Sequence, residues 1–238
     1  MPPNNQDRPK RFYAAAEAGV GEQGWGVLLD GRPVRTPGGA RLVAPTRPLA
    51  ALIAQEWAVQ AAAIDIAAMP ATRLAFSAVD RISIKRPETA AEIGRFAGAD
   101  LLCYFAGAPE ALTARQTERW GPVLAWAHEA LGLEFHRTVG IIHRAQPPQT
   151  VARVEGLALE LDDFGLAALA MAAGLFGSAV LALALQRNQL DGEAAFELSR
   201  LDEEFQEQIW GVDAEAEARR ALLTAEAVLL DRWFQALR

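Results

Sequence analysis

From Phe164 to Gln186 the chain runs for 23 residues without a charge, and this stretch limits what it can fold into more than any other. As a helix it would be apolar on every side, with Leu166, Leu169, Phe176, Val180 and Leu183 on one face and Met171, Leu175 and Leu185 elsewhere. Such a helix is either the centre of a globular core or a membrane span. The flanks favour the core: Asp162 and Asp163 at the start and Arg187 at the end complement a helix dipole. No cluster of Lys or Arg marks a cytoplasmic side. Ala170, Gly174 and Gly177 form a thin stripe along which a second helix could approach closely. Ser178 is read as lying inside this one long helix.

Asp191 then caps a very different segment, read as one surface helix to Gly211. Ala194, Leu198, Leu201, Phe205 and Ile209 recur at helical spacing and should dock on the domain. Glu203 and Glu207 should project away, with Asp202 and Glu204 on the flanks and Arg200 pairing Glu204 at i, i+4. Two readings stand side by side: a solvated face, or a fixed acidic platform for a basic or amide-rich partner surface.

A net charge of −7 argues against nucleic acid or anionic lipid as the main partner. The single Cys103 excludes an intramolecular disulfide and fits a reducing compartment. The N-terminus, MPPNNQDRPKRFY, has no apolar stretch of the secretory kind, and the cytoplasm is expected. Only Lys10 and Lys85 are lysines among 23 basic residues, a bias associated with bacterial genomes.

Residues 1–10 read as a disordered lead. Trp25 to Leu29 runs into Asp30-Gly31, a two-residue hairpin signal. Arg32–Thr36 and Arg41–Ala44 complete a small antiparallel meander, which a layer must cover. Thr46 should cap the next helix, whose Leu49, Leu52, Ile53, Trp57 and Gln60 mark one face, with Trp57 plugging the sheet. Helices are expected from Pro70, broken at Arg86-Pro87, and from Glu88 to Phe96. Asp100 to Phe105 is a buried run of either type. A helix after Pro109 should kink or restart at Gly121-Pro122, and Glu134 to His143 could be extended. From Gln149 everything reads as helix, with Leu222, Leu229 and Trp233 on the apolar face of the last one. The fold class expected is α+β: a β-rich N-terminal domain, residues 1–85, and an all-helical C-terminal bundle, residues 86–238.

Little here suggests catalysis. Gly19-x-Gly21-x-x-Gly24 matches a dinucleotide motif in letters, but it precedes a strand instead of opening a helix, so it reads as a flexible loop. His128, His136 and His143 lack ligand spacing, and no metal or cofactor is expected. Cys103 lies among apolar neighbours, where a thiol serves packing.

Several phrases together resemble the ATP synthase F1 assembly chaperones that hold the alpha subunit before it joins beta. They are Arg11-Phe12-Tyr13, Leu29 to Pro37, Glu56-Trp57, Met69 to Leu74, Asp100 to Tyr104, Gly177-Ser178 to Leu185, and Leu198 to Phe205 with Trp210-Gly211. The resemblance implies a non-enzymatic bacterial chaperone whose client is the F1 alpha subunit. It places the family's acidic stretch on Asp202, Glu203 and Glu204, making these, with Glu207 and Arg200, the candidate partner-binding residues. Phe76-Ser77 departs from the small polar pair expected there, and the mitochondrial presequence of eukaryotic members is absent. Two rivals remain open at this point: a small-molecule enzyme with a cleft between domains, and a membrane-associated assembly factor anchored by Phe164–Gln186.

Overall fold

The computed structural model describes residues 8–21, 24–211 and 213–238, so the first seven residues of the expected disordered lead lie outside the described residues. The chain forms two compact units. One comprises Met1–Lys85 with Asp163–Ala167 and Trp233–Arg238, and the other Arg86–Asp162 with Ala168–Arg232. The architecture is α+β: a small antiparallel sheet near the N-terminus followed by a mostly helical chain.

The first unit is built on a hairpin of β1 (Ala16–Gly21) and β2 (Gly24–Leu29), in register from Ala16 opposite Leu29 to Gly21 opposite Gly24. The Gly19–Gly21 part of the glycine motif, expected as a flexible loop, is therefore strand. Local turn signals hid this, because glycine depresses strand propensity without forbidding a strand. Residues Glu22 and Gln23 of that motif are outside the described residues. Asp30 (φ 48°) and Gly31 (φ 76°) make the expected tight turn. The turn leads into β3 (Arg32–Pro33), and β4 (Val43–Ala44) pairs with the other end of β2.

One sheet face turns Val27 and Leu29 towards α1 (Arg47–Ala58), which offers Leu49, Ile53 and Trp57 in return, all buried. Thr46 caps α1 as expected, its hydroxyl accepting from Leu49 N at 3.2 Å and donating to the Ala236 carbonyl. The N-terminus of α2 (Pro70–Asp80) rests on Glu56, whose two carboxylate oxygens accept from Ala71 N and Thr72 N at 2.7 Å each. A carboxylate there satisfies orphan donors and meets the positive end of the helix dipole. Within this unit Trp233 stacks on Phe164 and donates from Nε1 to the Phe164 carbonyl.

The helix from Pro70 ends at Asp80, short of Arg86-Pro87. The second unit opens with α3 (Arg86–Gly98), which begins at Arg86 and not Glu88 because proline is tolerated in a first turn. Asp100 caps a 3₁₀ turn, Leu101–Cys103, that passes into β5 (Tyr104–Phe105). Beyond α4 (Glu110–Leu131), continuous through Gly121-Pro122, β6 (Thr138–Val139) pairs parallel to β5. The unit expected to be all-helical thus carries a small sheet. Then come α5 (Pro148–Leu159), α6 (Asp163–Phe176) and α7 (Ala179–Gln186).

The uncharged run is two helices, not one. Gly177 turns with φ 63° and Ser178 caps α7, accepting from Leu181 N and donating to Asp100 Oδ1 at 2.7 Å. Asp100 also accepts from Val180 N and Leu102 N, and is wholly buried. Ala179 to Leu185 are buried on every side, which makes α7 the core helix the composition required. At 14 and 8 residues the two helices fall short of the ~20 that a span needs. Among the described residues no helix is long and apolar enough to cross a membrane. The small-residue stripe does not seat a helix: Gly174 is exposed, with only Phe96 within van der Waals reach of a Cβ there.

Candidate partner-binding surface

The acidic segment also divides, into α8 (Gly192–Ser199) and α9 (Leu201–Trp210). Ser199 donates its hydroxyl back to the Phe196 carbonyl, and Arg200 (φ −113°, ψ 16°) leaves the helical path. α10 (Ala214–Leu237) begins after Asp213, whose Oδ1 accepts from Ala216 N at 2.7 Å. α8 and α10 touch backbone to backbone: a Cβ on Gly192 would lie 2.3 Å from the Ala227 carbonyl oxygen.

The break resets the helical phase, so the apolar face expected to run from Ala194 to Ile209 is not continuous. Leu198 and Leu201 are buried and Phe205 is half-buried under the Arg115 guanidinium, 5.2 Å from its ring. Ile209 is exposed, and so is Trp210 at 82%. Leu222, expected on the buried face of α10, is exposed as well, whereas Trp233 is fully buried.

The five candidate residues share this region but play different parts. Arg200 pairs with Glu207 at 2.5 Å and not with Glu204, because beyond the break it faces the second turn of α9. Arg220 of α10 holds the other Glu207 oxygen at 3.5 Å. Glu207, expected to project outward, is therefore clamped inward between two guanidinium groups, its side chain 18% exposed. Asp202 is half-buried and accepts from Gln116 Nε2 at 2.7 Å, while Gln116 Oε1 accepts from Ala106 N. Burial pushes the Asp202 carboxyl above its usual range, and the Gln116 bond pulls it back. Glu204 is also raised, first by burial and then by the Glu197 charge, against the pull of Arg200. Glu203 is exposed and lines a groove of about 700 Å³ with Phe176, Phe196, Arg200, Arg219 and Leu223.

Asp202, Glu203 and Glu204 occupy the first turn of α9, where negative charge also favours the helix itself. Their outward face is narrower than the sequence suggested: Glu203, Gln206 and Trp210, at i, i+3 and i+7, are all exposed. The supports come from α4, expected only as a helix after Pro109. Arg115 donates to Gln208, Gln116 to Asp202, and Trp120 Nε1 to the Leu198 carbonyl at 2.9 Å. The sequence carries no signal of this: Gln116 falls at the helical spacing of Leu112 and Trp120 and is buried with them.

Elsewhere the three histidines gather no ligands, and among the described residues no group of His, Cys, Asp or Glu could hold a metal ion. His143 Nδ1 meets the Tyr104 hydroxyl at 3.1 Å. Cys103 is fully buried, and burial pushes its thiol up, first by desolvation and then by Asp100.

Residues 10–128 match the model of the ATP12 chaperone protein family. The crystal structure of Atp12 from Paracoccus denitrificans is 42% identical, with 97% of this chain and 99% of that one aligned at a TM-score of 0.90. A protein from Agrobacterium tumefaciens is 40% identical over 97% of this chain and 87% of its own, again at 0.90. Mitochondrial atp12 of Schizosaccharomyces pombe is 26% identical over 197 residues, 78% of this chain and 68% of that protein. With a family model that spans half of the sequence and near-complete structural agreement at such identity, the chain belongs to the ATP12 chaperone family.

Proposed function

We propose that this protein is a non-catalytic holding chaperone of the bacterial cytoplasm. It binds the unassembled F1-ATPase alpha subunit, keeps it from aggregating until it pairs with beta, and so promotes assembly of ATP synthase F1. Membership of the ATP12 family carries the reading, and the residues that gave the first resemblance lie in elements shared along the whole chain.

The outward strip of α9 supports a contact suited to holding. Glu203 and Gln206 offer charge and hydrogen bonding, and Trp210 offers a large apolar anchor. In this proposal Glu203 and Glu204 meet the client directly. Asp202, Glu207 and Arg200 fix the helix that presents them, through Gln116 and Arg220. A contact of moderate area and affinity lets beta displace the chaperone by forming a larger apolar interface.

Co-purification with tagged protein in a host expressing F1 subunits tests this. Alpha recovered without beta is the expected result. Recovery of neither, or of assembled alpha and beta together, would overturn it. Replacing Asp202, Glu203 and Glu204 together by Ala should abolish capture; unchanged folding with unchanged capture would remove α9 from the contact.

A further inference from the structure

Residues 136–146 form a loop closed at its neck by one buried side chain. Gln146 Oε1 accepts from His136 N at 2.7 Å, and Gln146 Nε2 donates to the His136 carbonyl at 2.9 Å. The loop is also fastened to the strand beside it. β6 pairs with β5, Gly140 N donates to the Phe105 carbonyl at 2.8 Å, and His143 meets the Tyr104 hydroxyl. Compact surface loops with joined ends are frequently functional.

The tip of this loop is aliphatic and bare. Ile141 is 97% exposed, Ile142 80% and Val139 67%. A single exposed aliphatic residue needs no account, but three within four positions of a fastened loop make a patch of the kind that takes a partner.

The flanks of the tip are cationic. Arg137 and Arg144 are both exposed, two residues before Val139 and two after Ile142. Arg137 lies over the Phe105 ring at 5.6 Å and Arg144 donates to the Arg137 carbonyl at 3.1 Å; among the described residues neither has an acidic partner. From 135 to 154 the sequence holds no Asp or Glu, in a chain whose net charge is −7. Like charge excludes a second copy of the loop as the occupant, and Val139, Ile141 and Ile142 offer no ring on which a base could stack. Projecting side chains need either a concavity cut to match them or a fluid surface. Aliphatic groups ringed by unpaired cations suit the acyl boundary and anionic headgroups of a bilayer.

We propose that this loop docks reversibly on an anionic lipid surface. Val139, Ile141 and Ile142 enter the acyl boundary, and Arg137 and Arg144 meet the headgroup phosphates and carboxylates. The contact goes beyond the holding-chaperone reading and does not rest on it. It is peripheral and leaves α7 in the core. The acidic excess of the rest of the chain is repelled by the same surface, which confines the contact to the loop and keeps it weak.

Flotation of the whole chain with mixed phosphatidylcholine and phosphatidylserine vesicles tests this, with pure phosphatidylcholine vesicles as the control. The chain should float with the mixed vesicles, bind the control about tenfold more weakly, and be released as salt rises. Ile141→Ser with Ile142→Ser should abolish flotation, and Arg137→Gln with Arg144→Gln should weaken it roughly thirtyfold. All four side chains are exposed, so both variants should melt within a degree or so of wild type. No flotation of wild type with the mixed vesicles, equal flotation with both vesicle types, or flotation that survives in the folded isoleucine variant would overturn the proposal.

Purified alpha subunit separates the two readings. The isoleucine variant should capture it as wild type does. Loss of capture by this variant, with no flotation of wild type, would assign the loop to a polypeptide and overturn the lipid contact. No capture by wild type overturns the chaperone reading, and flotation then decides the loop.

Discussion

Asp100 should make the stability of this protein fall as pH rises from 4 to about 6.5. The carboxyl is wholly buried, and desolvation pushes it up to about 6 from an ordinary 3.8, against hydrogen bonds from Ser178, Val180 and Leu102. Below 3.8 the group is protonated in both folded and unfolded chains and contributes no pH dependence. Between 3.8 and about 6 the folded state holds a proton that the unfolded state has released, so stability declines with rising pH. Above that range both states are ionised and the loss is complete. The gap of 2.2 units, from 3.8 to about 6, at about 1.4 kcal/mol per unit, amounts to about 3 kcal/mol. Asp100→Asn removes the titration at nearly constant shape, although its amide nitrogen cannot accept from both sides as the carboxylate does. Urea denaturation at pH 4.5, 5.5, 6.5 and 7.5, followed by tryptophan fluorescence, reads the effect. Because the series starts at pH 4.5, with about 1.5 units of the range still ahead, the variant should gain about 2 kcal/mol relative to wild type across it. Parallel curves would show that Asp100 does not titrate there, its three donors outweighing burial and holding the carboxyl at or below its ordinary value.

Other perturbations test the helix breaks and the supports of α9. Gly177→Ala would help a continuous helix, but at φ 63° it should cost about 1–2 kcal/mol in denaturant titration. Gly192→Ala should cost about 2–3 kcal/mol by the same measurement, because its Cβ meets the Ala227 carbonyl and two backbones must part. Glu207→Gln loosens the double arginine clamp and should lose about 1–2 kcal/mol together with part of alpha-subunit capture. Glu203→Gln, on an exposed side chain, should weaken capture while leaving the melting temperature within a degree or so of wild type.

Signals that act over a few residues were plain in the sequence. Asp30-Gly31 specified its turn, Thr46 its cap, and Pro109 and Pro148 the starts of their helices. The α+β class and the core position of the uncharged run followed from these and from composition. The break at Gly177-Ser178 was masked because apolar residues at helical spacing continue on both sides of it. Its logic lies in Asp100, a partner 78 residues away from Ser178. The ion pairing of Arg200 was hidden in the same way. An i, i+4 rule offered Glu204 to Arg200, whereas the actual partner depends on a break in the helix and on Arg220 from another element. Gln116, silent in the sequence, fixes Asp202 through a contact 86 residues long.

The composition of the first unit bears on the order in which the protein can be made. Its hairpin and α1 leave the ribosome early, yet Trp233 stacks on Phe164 in that unit, and the Ala236 carbonyl receives the Thr46 hydroxyl. A nascent chain that has produced the sheet still lacks these contacts until Trp233 and Ala236 emerge. The hairpin's unit is thus begun early and completed only once Trp233 and Ala236 have been made. Removing Trp233–Arg238 should therefore expose the N-terminal sheet, not the neighbouring helices, to proteolysis.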